Sequence, residues 1–222
     1  MQYLASPSVC RPTPDGRFEG YEPPDGTTGM TALVAVLGAG AGSRMGGGKL
    51  HLDLGGRPVG MWAVSVAREL SPSVVFIASA GVPVWLEAPL PQAEVVHNPD
   101  AASGMASSLA LAAHIAAEIA VSSLLVTLAD MPFVSLETLR ALVAQTDPGE
   151  ISACRYPDGR LGPPACFGGQ RLGALTELKG DTGARHLLNQ PGFAKGIAVP
   201  ERELVDIDTP EDLERARGSM TR

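Results

Sequence analysis

At 222 residues the chain has the length of one ordinary domain, or of one domain with a tail, and 45% hydrophobic content is enough for a sizeable core. A net charge of −7 without any cluster of Lys and Arg argues against a nucleic-acid reader. No uninterrupted apolar run reaches bilayer length, because His114 and Glu118 break the most apolar helix.

Residues 1–30 hold Pro7, Pro12, Pro14, Pro23 and Pro24 with little apolar periodicity, and read as a flexible tail that lacks the apolar centre of a secretory leader. Met30 stands directly before the first convincing strand, so the tail also reads as an extension upstream of the true start. The folded domain is expected over 31–218. It opens on the apolar run 33–37, a buried strand that ends in glycines. A helix is expected over 58–70, a buried strand over 74–78 and a weaker strand over 94–96. The stripe Met105, Leu109, Ala112, Ile115 and Ile119 predicts a helix over 105–119. A strand over 124–128 follows, and Ser135 caps a helix that runs to about 144. Beyond it come a hairpin around Pro157-Asp158-Gly159, helices over 172–178 and 184–188, and strands near Ile197 and over 204–207. Thr209-Pro210-Glu211-Asp212 opens the last helix. This alternation predicts an α/β fold of three layers, a mostly parallel sheet covered by helices on both faces. Ligands of such sheets sit outside the carboxyl ends of the strands.

Cys10, Cys154 and Cys166 are widely separated and make neither a disulfide framework nor a zinc pattern, which points to a reducing cytoplasm. His51, His97, His114 and His186 have no metal-ligand spacing, and Trp62 reads as a core residue.

The first strand end carries Leu37-Gly38-Ala39-Gly40-Ala41-Gly42-Ser43-Arg44-Met45-Gly46-Gly47-Gly48-Lys49. Glycines bring backbone N–H groups close to phosphate oxygens, and Arg44 and Lys49 add cations. A dinucleotide fingerprint fits poorly, because Ser43 stands at its last position and no acid lies near position 60. A P-loop fits no better, because Leu50 follows Lys49. A plain surface loop is the third reading. The strand end Leu128-Ala129-Asp130-Met131-Pro132 places a carboxylate at the same edge, suited to Mg²⁺ or to capping a turn. Asp206 and Asp208 would share one face of the last strand, with helix capping the rival role for Asp208.

The run from Leu37 to Leu50 resembles the L-A-[AG]-G-x-[SG]-x-R-M-G-x-x-K-L signature of molybdenum-cofactor-type nucleotidyltransferases. Four more segments match in order: Asn98-Pro-Asp with Gly104-Met-Ala-Ser-Ser-Leu109, Leu128-Ala-Asp-Met-Pro132, Gly180-Asp-Thr-Gly-Ala-Arg185 and Asp206-Ile-Asp-Thr-Pro-Glu-Asp212. The resemblance spans 33–215. Ala39 and Gly104-Met-Ala-Ser-Ser are similar to the cytidylyltransferase branch rather than the guanylyltransferase branch. It implies a Rossmann-like nucleotidyltransferase fold and a Mg²⁺-dependent transfer of CMP from CTP (or GMP from GTP) to molybdopterin. A molybdenum hydroxylase is the implied recipient. The resemblance implies that Leu37, Gly38, Ala39, Gly40, Gly42 and Ser43 hold base and phosphates, and that Arg44 and Lys49 stabilise the triphosphate. Asp130 and Asp208, or Asp206 beside it, would hold the metal, and Asn98 and Ser107 would touch the nucleotide. Asp181, Thr182, Gly183 and Arg185 would face the acceptor. Gly38 stands where the family usually has alanine, so added backbone freedom near the base is expected.

Overall fold

The computed structural model describes residues 9–12, 18–19, 32–39, 48–79, 83–86, 93–178 and 183–220. Strands β1 (Val9–Pro12) and β2 (Phe18–Glu19) precede β3 (Ala32–Leu37). The small hairpin β4 (Asp53–Leu54) and β5 (Arg57–Pro58) leads into α1 (Val59–Leu70). Then come β6 (Val74–Ala78), β7 (Glu94–His97), α2 (Met105–Glu118), β8 (Ser123–Leu128) and α3 (Leu136–Ala144). The hairpin β9 (Ile151–Arg155) and β10 (Leu161–Gly168) follows, then α4 (Leu172–Thr176), α5 (Gly183–Leu188), β11 (Lys195–Ala198) and α6 (Pro210–Met220).

Nine strands form one sheet in the order β11-β9-β10-β8-β3-β6-β7-β1-β2. The centre is parallel: β3 pairs with β6 and β8, and β6 with β7. Strand β10 runs antiparallel to both β8 and β9, and that reversal makes the sheet mixed. Every residue of β3 and β6 is buried, as expected of parallel strands covered on both faces. Alternation along β3 divides the core. Leu33, Ala35 and Leu37 pack with Leu109, Ala112 and Ile115 of α2, Leu172 and Leu175 of α4, and Leu188 of α5. Val34 and Val36 pack on the other face with Ala63, Val64 and Ala67 of α1 and Leu139 and Leu142 of α3. These are the three layers that the sequence pattern predicts. Cys154 and Cys166 are buried free thiols, consistent with a packing role, whereas the side chain of Cys10 lies outside the described residues.

Two differences from the expected elements stand out. Within the stretch read as a tail, β1 pairs with β7 and β2 pairs with β1, so part of that stretch adds to the sheet edge. Residues 204–207 form no strand: Glu201–Leu204 is a turn of 3-10 helix, and the chain then runs extended through Val205. Side-chain anchoring replaces a ladder there. Ile207 is buried among Leu54, Val59, Leu213 and Ala216, and its N–H donates to the Asp130 carbonyl at 2.9 Å. Glu203, only 5% exposed, accepts from the Ser135 N–H and the Thr138 hydroxyl at the N-terminus of α3. As expected, Ser135 is the N-cap of that helix and accepts from the Thr138 N–H.

Among the described residues no helix is long and apolar enough to cross a membrane.

Burial pushes the Glu94 carboxyl up from 4.5 to about 7, and its Oε1 has no hydrogen-bond partner among the described residues. A folded-state value above the unfolded one means that the native state binds the extra proton between these limits. Stability is therefore full below pH 4.5 and falls as pH rises through about 7. Glu94→Gln is expected to be more stable than the parent at pH 8 by about 1–2 kcal/mol, a range reduced for solvent screening, with little difference at pH 4.5. Urea denaturation at the two pH values checks this.

Candidate active site

The parallel register aligns three strand ends. Leu37 lies opposite both Ile77 and Leu128, so Gly38 and Ala39, Ala78 and Ser79, and Ala129 and Asp130 leave the sheet at one edge. Two hydrogen bonds fix these exits: Gly38 N–H to the Ile77 carbonyl at 2.9 Å, and Ala129 N–H to the Leu37 carbonyl at 3.0 Å. A cleft of about 250 Å³ opens there. Leu37, Gly38, Ala39, Lys49 and Asp130 line it, together with an aromatic side formed by His51, Phe76 and Trp85.

Lys49 begins a turn of 3-10 helix, Lys49–His51. Its Nζ donates to Asp130 Oδ2 at 2.6 Å and to Asp208 Oδ1 at 2.7 Å. Burial of the ammonium opposes its charge, but the Asp130 carboxylate, and Asp208 after it, outweigh that cost and hold Lys49 above its ordinary pKa. The lysine therefore stays charged across the physiological range. Asp206 lies next to this group. Partial desolvation, then the Asp208 and Asp130 charges, push its carboxyl up, with Lys49 acting in the opposite direction. Tyr156 borders the same region. Burial, and then Cys154, Asp206 and Asp130, push its hydroxyl up to about 12, and it donates to the Pro163 carbonyl at 2.8 Å.

A divalent cation fits this donor set. Asp130 and Asp208 converge on one cation already, the Lys49 ammonium. Asp130 Oδ1 is buried and has no hydrogen-bond partner among the described residues. No group of three or more His, Cys, Asp or Glu side chains is placed to hold a metal among the described residues. Two carboxylates completed by phosphate oxygens and water are the usual set for Mg²⁺ or Mn²⁺.

The other residues singled out by sequence fall into three groups. Gly40, Gly42, Ser43, Arg44, Asp181 and Thr182 lie outside the described residues. Gly183 and Arg185 belong to α5, and Arg185 is not among the described residues that line the cleft. Asn98 is 3% exposed and its side chain is fully engaged: the amide donates to Ser107 Oγ and Ser108 Oγ, both at 2.9 Å, and Oδ1 accepts from the Asp100 N–H. Ser107 also donates back to the Gly104 carbonyl. Neither residue is among those lining the cleft. Their bonds hold the N-terminus of α2, whose first residue, Met105, does line it.

The three aromatic residues of the cleft carry no motif: His51, Phe76 and Trp85. Trp85 falls in a stretch rich in Gly and Pro where periodicity gives no element. The usable signal was its type, one of two tryptophans in the chain, placed just past a strand end.

Gly38 is also explained differently from the expectation of added freedom. A Cβ built there would lie 2.1 Å from Phe76 Cζ, and Phe76 is 1% exposed. The ring takes the space of the missing methyl, so the position is filled rather than loose. Gly38→Ala is expected to destabilise the fold by about 1–3 kcal/mol, as overpacking of a close-packed site does. In the Gly38→Ala/Phe76→Leu double variant the two effects should be strongly non-additive. Thermal denaturation of the three variants measures this.

A doubly covered, largely parallel sheet, with a cleft of about 250 Å³ at its carboxyl edge lined by Lys49 and Asp130 of a Lys–Asp–Asp cluster, defines an α/β protein of the nucleotidyltransferase type. The MobA-like NTP transferase domain matches residues 34–195, and the chain belongs to that family. It is 29% identical over 208 residues to the purine catabolism protein PucB of Bacillus subtilis, covering 85% of this chain and 98% of that protein. It is 30% identical over 203 residues to the nicotine blue oxidoreductase of Paenarthrobacter nicotinovorans, covering 86% and 98%. Among solved structures, Rv0371c of Mycobacterium tuberculosis H37Rv in complex with manganese superposes with a TM-score of 0.65 at 26% identity, covering 85% of this chain and 100% of that one.

Proposed function

We propose that this protein is a Mg²⁺-dependent nucleotidyltransferase that transfers CMP from CTP to the terminal phosphate of molybdopterin, releasing pyrophosphate. The observation that carries the reading is the Lys49 ammonium held between Asp130 and Asp208 at the mouth of the nucleotide cleft. A cation-rich loop beside two convergent acids is what a triphosphate and its metal require. The five ordered motifs and the family membership support the reaction class. The choice of cytosine rests on Ala39 and on Gly104-Met105-Ala106-Ser107-Ser108, and guanine is the alternative base.

In the proposed reaction an oxygen of the acceptor phosphate forms a bond to the α-phosphorus as the bond to the bridging oxygen of pyrophosphate breaks, in line. No covalent enzyme intermediate is needed. Positioning and charge neutralisation supply the rate. Asp130 and Asp208 would hold Mg²⁺, which would neutralise charge on the triphosphate. Lys49 would release the acids and turn to the phosphates, joined there by Arg44. Asp181, Thr182, Gly183 and Arg185 would meet the acceptor. The product would pass to a molybdenum hydroxylase, in the cytoplasm.

A second reading comes from the relative that bears an oxidoreductase name: a reductase using a nicotinamide dinucleotide. The poor dinucleotide fingerprint at Ser43 weighs against it. Incubation with CTP or GTP, molybdopterin and Mg²⁺, read by pyrophosphate release, separates the two. Turnover is expected with CTP. With NADH or NADPH and an oxidised quinonoid dye added as hydride acceptor, protein-dependent reduction of the dye without any pyrophosphate release would overturn the transferase reading. Lys49→Met and Asp130→Ala should each lower kcat/KM by about 10²–10³-fold, the scale of losing one charge-stabilising group in a closed site, while both remain folded.

The clasp also sets a metal prediction. The ammonium between them cancels half of the charge that the two acids would offer a cation, so Lys49→Met is expected to bind Mn²⁺ more tightly than the parent when no triphosphate is present. Titration followed by electron paramagnetic resonance reads this directly.

A further inference from the structure

The two acids of the cluster sit on segments that run side by side. One leads from Asp130, past the end of β8, to Ser135 at the start of α3. The other leads from Glu203 to Asp208, just ahead of α6. They are antiparallel and tied at both ends. At one end the Ile207 N–H donates to the Asp130 carbonyl at 2.9 Å. At the other a single oxygen, Glu203 Oε2, accepts from the Ser135 N–H at 2.9 Å and from the Thr138 hydroxyl at 2.7 Å. Met131 and Val134 of the first segment and Leu204 of the second belong to one core cluster. Glu203, Ser135 and Thr138 are not among the residues that line the cleft.

The Glu203 tie is costly as a packing device. Glu203 is 5% exposed, and none of the ion pairs among the described residues includes it. Burying a carboxyl group without a cation costs free energy that an apolar side chain would not. Nor does α3 depend on it for a cap, because the Ser135 hydroxyl already accepts from the Thr138 N–H at 3.1 Å. What Glu203 adds is a tether across the two segments. The segment bearing Asp208 has no ladder of its own, and Ile207 packs on a small cluster distinct from the two main cores. In the proposed reaction Lys49 leaves the acids. The two ties are then the hydrogen bonds that still hold Asp208 in register with Asp130.

Resting on the metal-dependent reading, we propose that Glu203 is a positioning residue for the divalent cation. It acts through Asp208 by anchoring that segment to the N-terminus of α3, so that the two acids stay close enough to share one ion. Thr138 and the Ser135 N–H are its partners in this role.

Three substitutions in the full chain test this. Glu203→Leu fills the space and breaks both bonds. Thr138→Val keeps the shape and removes one donor. Glu203→Gln leaves an amide oxygen able to replace Oε2 in both bonds. Each is combined with Lys49→Met, so that Mn²⁺ meets the acids without the ammonium, and titration is followed by electron paramagnetic resonance. Glu203→Leu is expected to bind Mn²⁺ about 10–100-fold more weakly than Lys49→Met alone, the usual loss when a group that orients a metal ligand is removed. Thr138→Val should fall between, and Glu203→Gln should keep most of the affinity. With Lys49 intact, the same losses should appear in the KM for Mg²⁺ during turnover, with kcat at saturating Mg²⁺ retained. Unchanged Mn²⁺ affinity in Glu203→Leu or Thr138→Val would overturn the proposal, as would a loss in Glu203→Gln as large as in Glu203→Leu. If Glu203→Leu does not fold, Thr138→Val and Glu203→Gln decide between these outcomes. Absence of Mn²⁺ binding by Lys49→Met itself would instead remove the metal reading on which the proposal rests.

Discussion

The contact of Lys49 with Asp130 and Asp208 organises this molecule. It joins the glycine-rich loop after β3, the exit of β8 and the segment that precedes α6, which are 81 and 159 residues from the lysine along the chain. One ammonium between two carboxylates leaves the cluster with an excess negative charge. Such a cluster is stable only where each oxygen has a donor or a cation, yet Asp130 Oδ1 has neither among the described residues. The same arrangement that braces the site thus leaves it short of positive charge.

The rest of the fold holds these groups in register. Burial of β3 and β6 on both faces fixes which strand ends share an edge, because a slip of one residue would exchange the two cores. The segment with Asp206 and Asp208 has no such ladder. It is held by Ile207 packing under α6, by the bond from Ile207 to the Asp130 carbonyl, and by Glu203 at the N-terminus of α3. One acid is therefore set by the sheet and the other by side-chain anchors. Asp208 is the more open of the two, at 43% against 19%.

Much of this was legible in the sequence, for reasons tied to particular residues. Apolar runs such as 74–78 and caps such as Ser135 mark elements that burial and local hydrogen bonds dictate. Asp130 stood out as an acid just past an apolar strand, Lys49 as a cation closing a glycine-rich run, and Asp208 as an acid just before a helix start. The 204–207 segment misled because its alternation of apolar and acidic residues is the same whether a neighbour strand or a hydrophobic pocket receives Ile207. The aromatic wall was not legible, since Phe76 reads as an ordinary strand residue and Trp85 as loop. Only the packing of Phe76 against Gly38, and of Trp85 against Gly60 and that ring, brings them to one side of the cleft. Asn98 shows the converse: a motif residue whose amide is spent on internal bonds.

Strand β10 runs against its neighbours, and because β9 reverses again, the last three strands hang from the sheet through one antiparallel seam. The cleft, with its lysine and Asp130, lies wholly on the β8 side of that seam. Tyr156 and the flank nearest Asp206 belong to the other side. The molecule is in this sense modular. Under the proposed function the nucleotide would be held on the β8 side, and the half beyond the seam could differ without disturbing it. The two relatives bear names as different as purine catabolism protein and nicotine blue oxidoreductase.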